Sequence, residues 1–312
     1  MTFAPTQCIE NYEIIEVVER RRTGIAYKAR NVVTGKLELL RTLAATGTSD
    51  REASERFLRE VKVQTRLCHP NIVAFYDARQ VDGQLFMTSE YVEGATLAER
   101  VAQGPLEWRE AVRVASDLLS ALEEAHALGI VHRGISPEHV IVTADGVVKL
   151  GGFGLAKPVS DLNLTQAGSV LGDAKYMSPE QVTNPASVDS RADLYSVGIL
   201  LFEAITGKPP FAARSDYETM VAQVQASPPV PSTLAKRIPG ELDGLILRAL
   251  AKDPAERFQT AQEFREALQE IGQGGPPPAE PQVEVQQSVE KRGLAALLDA
   301  LLGLVRRPRE GR

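Results

Sequence analysis

Phosphoryl transfer asks a protein for a carboxylate to orient the attacking hydroxyl, cations to neutralise the phosphates, and ligands that hold metal ions. The stretch GIVHRGISPEHVIV, Gly129 to Val142, has the outline of a loop built for that task. Where such a loop keeps an aspartate, a lysine and a metal-binding asparagine, it reads Gly134, Ser136 and His139. Glycine brings neither charge nor ligand. For His139 beside Glu138, a metal site is the sharper reading, and solvent exposure or backbone bonding is the favoured one.

The elements that would position this loop are legible on either side of it. Short β-rich pieces (YEIIEVV, GIAYKAR, LELLRTL, IVAFYDA, QLFMTSEYV) run from Tyr12 to Val92, divided by turn signals at Thr34-Gly35 and Asp82-Gly83, and predict a small antiparallel sheet. One helix interrupts them, with Phe57, Val61, Gln64 and Leu67 at helical spacing and Ser49 or Asp50 as its cap. Beyond Val92 the pattern turns helical. Val114, Leu118, Ala121, Leu122 and Ala125 share one face of a helix that Gly129 ends, and DLYSVGILLFEAITG, apolar nearly all round, predicts a buried helix.

The folded part is expected to end near Ile271, because GQGGPPPAEPQ cannot continue a helix and has few apolar groups to order it. Past this linker, Leu294, Leu297, Leu298, Leu301, Leu302 and Val305 recur at i, i+3, i+4, i+7, i+8 and i+11, followed by Arg306, Arg307 and Arg309. That predicts an amphipathic helix with a basic end, which docks on the chain's own domain or a partner, or lies on an anionic membrane surface. Twelve residues rise only about 18 Å as a helix, too short to span a core of roughly 30 Å.

The 312 residues are 43% hydrophobic and 24% charged, an ordinary globular composition, and the net charge of −6 argues against a general nucleic-acid binder. Cys8 and Cys68 are the only cysteines, so neither a disulfide framework nor a four-thiolate zinc site can be built, and a reducing cytoplasm is the simplest home. The N-terminal MTFAPTQCIENYEIIEVV lacks a basic region followed by an apolar run, and no stretch reaches about eighteen uncharged apolar residues. Neither secretion nor membrane insertion is expected.

From Asn11 to Ile271 the chain resembles bacterial eukaryotic-like serine/threonine protein kinases. The segments YKARNVVTGK, ERFLREVKVQTRLCHPNIV, EYVEGATL, GIVHRGISPEHVIV, VVKLGGFGLAK, YMSPEQ, SRADLYSVGILLFEAITGKPPF and AKDPAERFQTAQEF follow in family order at family-like spacing. The resemblance implies an α+β, two-lobed fold. Residues 1–10 would be an extension, 11–92 a small antiparallel-sheet lobe with one main helix, 93–271 a mostly helical lobe, 272–288 a linker and 289–312 the terminal helix.

It also implies what each position should do. Of the phosphate-covering glycines only Gly24 survives, with Glu19 and Arg21 at the other two; Arg41 stands where the family keeps the phosphate-contacting lysine, and its helix partner Glu60 is retained. Gly134 replaces the catalytic aspartate, Ser136 the nearby lysine, His139 and Gly152 the two metal ligands, and Asp173 a threonine. Ala26, Leu39 and Ser89 alter the adenine site, where Glu90, Val92 and Ile141 complete the vestigial pocket. His132, Arg133, Phe153, Gly154, Pro179, Glu180, Asp193 and Arg257 stand at scaffold positions, where Glu180 would pair with Arg257 and Asp193 hold the loop backbone. For Arg41 an ion pair with Glu60 is favoured over nucleotide contact, and for Asp173 a cap or salt bridge over a base. Arg133 could pair with a phosphate added at Thr165 or Ser169, against the favoured reading of an unmodified loop.

The expectation is therefore a pseudokinase: a cytoplasmic, protein-binding scaffold or regulatory module without catalytic residues or metal, with ATP and Mg²⁺ binding absent or weak. The alternatives are a weakly active or atypical serine/threonine kinase, or an ATP-binding sensor. Contact with the inner face of the membrane through the terminal helix is the second reading of location.

Overall fold

Alternation along LELLRTL puts Glu38, Leu40 and Thr42 on the buried face of a strand and leaves Leu37, Leu39, Arg41 and Leu43 half-buried on the other. This strand is β4 (Leu37–Leu43) of a six-stranded antiparallel sheet with β1 (Cys8–Ile9), β2 (Tyr12–Arg21), β3 (Gly24–Asn31), β5 (Phe75–Val81) and β6 (Gln84–Glu90), in the order β1-β2-β3-β4-β6-β5. The sheet curls: Arg79 on one edge strand reaches Glu10, just beyond the other, at 2.5 Å. Ile14, Tyr27, Ala29, Leu40 and Phe86 fill the curl.

The computed structural model describes residues 7–21, 24–43, 50–81, 84–158, 173–235 and 238–272. Thr165, Ser169 and the tail residues Leu294, Leu297, Leu298, Leu301, Leu302 and Val305 lie outside them. The main helix of the sheet lobe, α1 (Asp50–Gln64), buries Phe57, Glu60, Val63 and Gln64. Of the residues expected at helical spacing, Phe57, Gln64 and Leu67 are buried and Val61 is half-buried, while Val63 packs with Leu67 and Ile72 into the core of the second lobe. The expected strand IVAFYDA is corrected too: β5 begins at Phe75, while Ile72 bridges Leu150 in parallel and Val73 N–H donates to the Leu150 carbonyl at 2.9 Å.

The second lobe is mostly helical. It carries β7 (Gly94–Thr96), α2 (Leu97–Ala102), α3 (Trp108–Ala127), β8 (Ile130–Val131), β9 (Val140–Thr143), β10 (Val148–Leu150) and β11 (Lys157–Pro158), then α4 (Pro179–Thr183), α5 (Arg191–Thr206), α6 (Asp216–Gln225), α7 (Gly240–Ala249) and α8 (Ala261–Gly272). The face of α3 expected to be apolar is buried at Val114, Leu118, Ala121, Leu122 and Ala125. Each such leucine contributes about 1.5–3 kcal/mol relative to exposure. Gly129, at φ 69°, turns the chain out of that helix into β8. Helix α5 is buried from Ala192 to Phe202 and so stands at the centre of the lobe. Gly272, expected to open the linker, is the last residue of α8.

Candidate functional site

The loop from His132 to His139 is held from below by one carboxylate. Asp193, on the first turn of α5 and fully buried, accepts from the backbone N–H of His132 at 2.9 Å and of Arg133 at 2.8 Å, and bonds His126 Nε2 at 2.8 Å. Burial alone would raise the Asp193 pKa, but the His126 bond and the neighbouring imidazoles and amides hold it below the usual value. Arg133, at φ 63°, is in the left-handed region that residues other than glycine adopt seldom, at a cost the surroundings must offset. Its guanidinium donates to the Val188 carbonyl at 3.3 Å.

His132 is wholly enclosed. Its Nε2 meets the Gly151 carbonyl at 2.9 Å while its Nδ1 accepts from Gly134 N–H at 3.2 Å, an arrangement that fits only the neutral ring. Burial pushes its pKa down to about 4 from 6.5. Between those values the unfolded chain binds the proton and the folded chain does not, so stability rises with pH across the window. Stability is expected to fall by about 3 kcal/mol as pH drops from about 6.5 to about 4. Denaturant titrations at a series of pH values check this, and His132→Asn should remove that part of the slope.

Above this platform, the positions that would carry chemistry are packed against one another. A side chain on Gly134 would begin 3.0 Å from Leu155 Cδ1. His139 Nδ1 lies 2.7 Å from the Gly134 carbonyl oxygen and 3.2 Å from Ser136 Oγ. Gly152 sits at φ 78°, and a Cβ built on it would stand 2.4 Å from His139 Cδ2. These residues do not fit a divalent metal: two are glycines, and the imidazole lies where a ligand at 152 would start. Among the described residues, no group of three or more His, Cys, Asp or Glu side chains is placed to hold a metal ion.

The sheet lobe contributes an ion pair. Arg41 Nη2 lies 2.5 Å from Glu60 Oε1, with the Glu60 side chain 8% exposed, and also contacts Met87 Sδ at 2.9 Å. Gly154 lies close under this pair, and a Cβ there would be 3.2 Å from Glu60 Oε2 and would press on it. Phe153 is buried edge-on against the His132 ring, their centroids 4.6 Å apart. Ala26 and Ser89 are buried, Leu39 pairs in register with Ser89, and Val92 and Ile141 are half-buried. An added Cβ at Gly24 would meet the Thr42 carbonyl, so close strand pairing explains this glycine without a phosphate. Glu90 is bound to Lys149 at 2.9 Å and to the Ala74 N–H at 3.1 Å, which ties β10 to the end of β6.

The protein kinase domain family matches residues 12–269. The chain belongs to the protein kinase family. It is 35% identical over 281 residues to the serine/threonine-protein kinase PknB of Mycobacterium leprae, covering 88% of this chain and 45% of that one. To the serine/threonine-protein kinase PrkC of Bacillus subtilis it is 34% identical over 254 residues, covering 81% and 39%. The chain thus spans less than half the length of these relatives. The crystal structure of the Mycobacterium tuberculosis PknI kinase domain superposes with a TM-score of 0.67 at 28% identity, covering 86% of this chain and 99% of that one. A curled antiparallel sheet over a helical lobe is the protein kinase fold.

Within this kinase domain, Asp173 accepts from Lys175 N–H at 3.0 Å and caps the turn Ala174–Tyr176. Glu180 holds Arg257 through paired bonds of 2.7 and 2.8 Å. The sequence reading missed three residues that shape the site: Leu155, His126 and Lys149. For His126 there was a signal, a polar side chain four residues after Leu122 on the apolar face of α3. Leu155 and Lys149 gave none, because each acts on a residue that only the fold brings near.

Proposed function

We propose that this kinase-family chain is a pseudokinase that acts through protein partners in the cytoplasm rather than by metal-dependent phosphoryl transfer. One observation carries the reading: the positions for base and metal ligands are Gly134, His139 and Gly152, and the His139 ring packs into the space above Gly152. Positioning and electrostatic stabilisation, metal ions included, supply nearly all the rate in this chemistry, and groups that act as a unit leave little when they are lost together. The Arg41–Glu60 pair, with arginine in place of the lysine, and the retained Glu180–Arg257 pair serve shape. The names of the relatives favour the alternative, a weakly active or atypical serine/threonine kinase, which would need a base and cation sites from other residues. The leucine stripe from Leu294 to Val305 is the surface we propose for partner or peripheral membrane contact, with no role for nucleic acid.

Purified protein incubated with labelled ATP and Mg²⁺ is expected to incorporate no phosphate into itself or generic substrates. Mg²⁺ and ATP together should leave its melting temperature unchanged, whereas a ligand at a hundred times its Kd would add about 2.7 kcal/mol. Time-dependent incorporation, lost when the cleft is altered further, would establish the alternative.

A further inference from the structure

In most folds a glycine in place of a metal-binding carboxylate would leave a hole. Here the hole is filled, and by the other altered metal position. A Cβ at Gly152 would stand 2.4 Å from His139 Cδ2, 2.5 Å from Cγ and 2.9 Å from Nδ1, against the roughly 3.5–4.0 Å of ordinary carbon contact. The ring is pinned in that place by the Gly134 carbonyl at 2.7 Å and the Ser136 hydroxyl at 3.2 Å. Ser136 is itself buried, so a longer side chain there would have to leave the pocket or displace the ring. Leu155 closes the remaining side, its Cδ1 3.0 Å from where a side chain on Gly134 would begin.

We infer that the His139 imidazole is a built-in plug: it occupies the space of the carboxylate ligand at position 152 and is the element that closes this cleft to a divalent cation. Gly134, Ser136 and Gly152 are then more than three independent losses. Gly152 is the residue this ring requires, Ser136 is one of the groups that hold it, and Gly134 gives it a carbonyl to bond while fitting closely beside Leu155. The inference rests on reading the site as one without metal-dependent transfer and adds the cause of closure. The backbone supports a clean test, because aspartate is among the residues that tolerate the left-handed conformation of Gly152, at φ 78°. An aspartate there is opposed chiefly by the ring.

The experiment compares the full chain with Gly152→Asp made in the unaltered, His139→Ala and His139→Asn backgrounds, by thermal unfolding with and without excess Mn²⁺. Gly152→Asp is expected to lower Tm by on the order of 5 °C, as overpacking of a filled site does. In the His139→Ala background, which removes the atoms that meet that Cβ, the same substitution should cost little, and the His139→Asn/Gly152→Asp double variant, which offers an amide and a carboxylate as ligands, should gain a Mn²⁺-dependent rise in Tm that Gly152→Asp alone lacks. An equal loss in the unaltered and His139→Ala backgrounds would overturn the inference. So would a Mn²⁺ response as large in Gly152→Asp as in the double variant, or none in the double variant. Should Gly152→Asp not fold, Gly152→Ala in the unaltered and His139→Ala backgrounds gives the same comparison, since its positive-φ strain is common to both and cancels. Phosphate incorporation by the unaltered chain would refute the pseudokinase reading and leave this stability coupling to be judged separately.

Discussion

Glu180→Ala is expected to destabilise the protein by about 3–5 kcal/mol, because it strands a charge that cannot reach water. Arg257 is 1% exposed. Its guanidinium donates to both Glu180 oxygens, at 2.7 and 2.8 Å, and to the backbone carbonyls of Ala251, Arg191 and Lys252. The carbonyls satisfy its donors but carry no compensating charge, and Tyr195, whose ring lies 4.8 Å from the guanidinium, offers only a weak cation–π contact. Removing the carboxylate therefore leaves an unpaired cation among α4, α5 and the segment after α7. Denaturant unfolding of the full chain measures the loss, and a value below about 1 kcal/mol, the range of exposed pairs, would contradict it.

Asp193→Ala is expected to cost a similar amount, about 3–5 kcal/mol, through a different route. It removes one acceptor from the amides of His132 and Arg133 and from His126, all buried or half-buried. It also releases Arg133 from φ 63°, a strained conformation that the carboxylate holds in place. Asp193→Asn keeps one oxygen and should lose less. The same measurement made across pH carries a second check. With its pKa below the usual value, Asp193 contributes stability that is present above the unfolded pKa and lost as pH falls through the folded one. An acid limb unchanged in Asp193→Asn would contradict that assignment.

Much of the fold was readable because it follows from local rules. The face of α3 came from helical spacing, its end from Gly129, and the strands of the sheet from β-rich runs between turn residues. What local rules do not reach is contact between distant elements. Spacing put Phe57, Val61, Gln64 and Leu67 on one face of α1, but α1 is buried on two sides: Glu60 meets Arg41 of the sheet, and Val63 packs into the core of the other lobe, leaving Val61 half-buried. IVAFYDA reads as one strand by composition, yet its first residues bridge to the other lobe, where Leu150 donates to the Asn71 carbonyl and accepts from Val73 N–H on either side of Ile72. The candidate site was legible in its identities through the kinase resemblance. Its geometry was not: that the His139 ring lies over Gly152 and Leu155 beside Gly134 depends on packing between segments with no pattern in common.

The curl of the sheet has a bearing on how other chains can approach it. A sheet edge with free backbone groups is a template onto which a foreign strand can add, the route to strand-exchanged oligomers and fibrils. Here the first edge strand is only Cys8–Ile9, and the last, Phe75–Val81, carries Asp77 and Arg79, the latter drawn across to Glu10. Shortness guards one edge and charge the other. Recognition by strand addition is thereby disfavoured on this lobe, and a protein that binds it must read side chains rather than borrow its backbone.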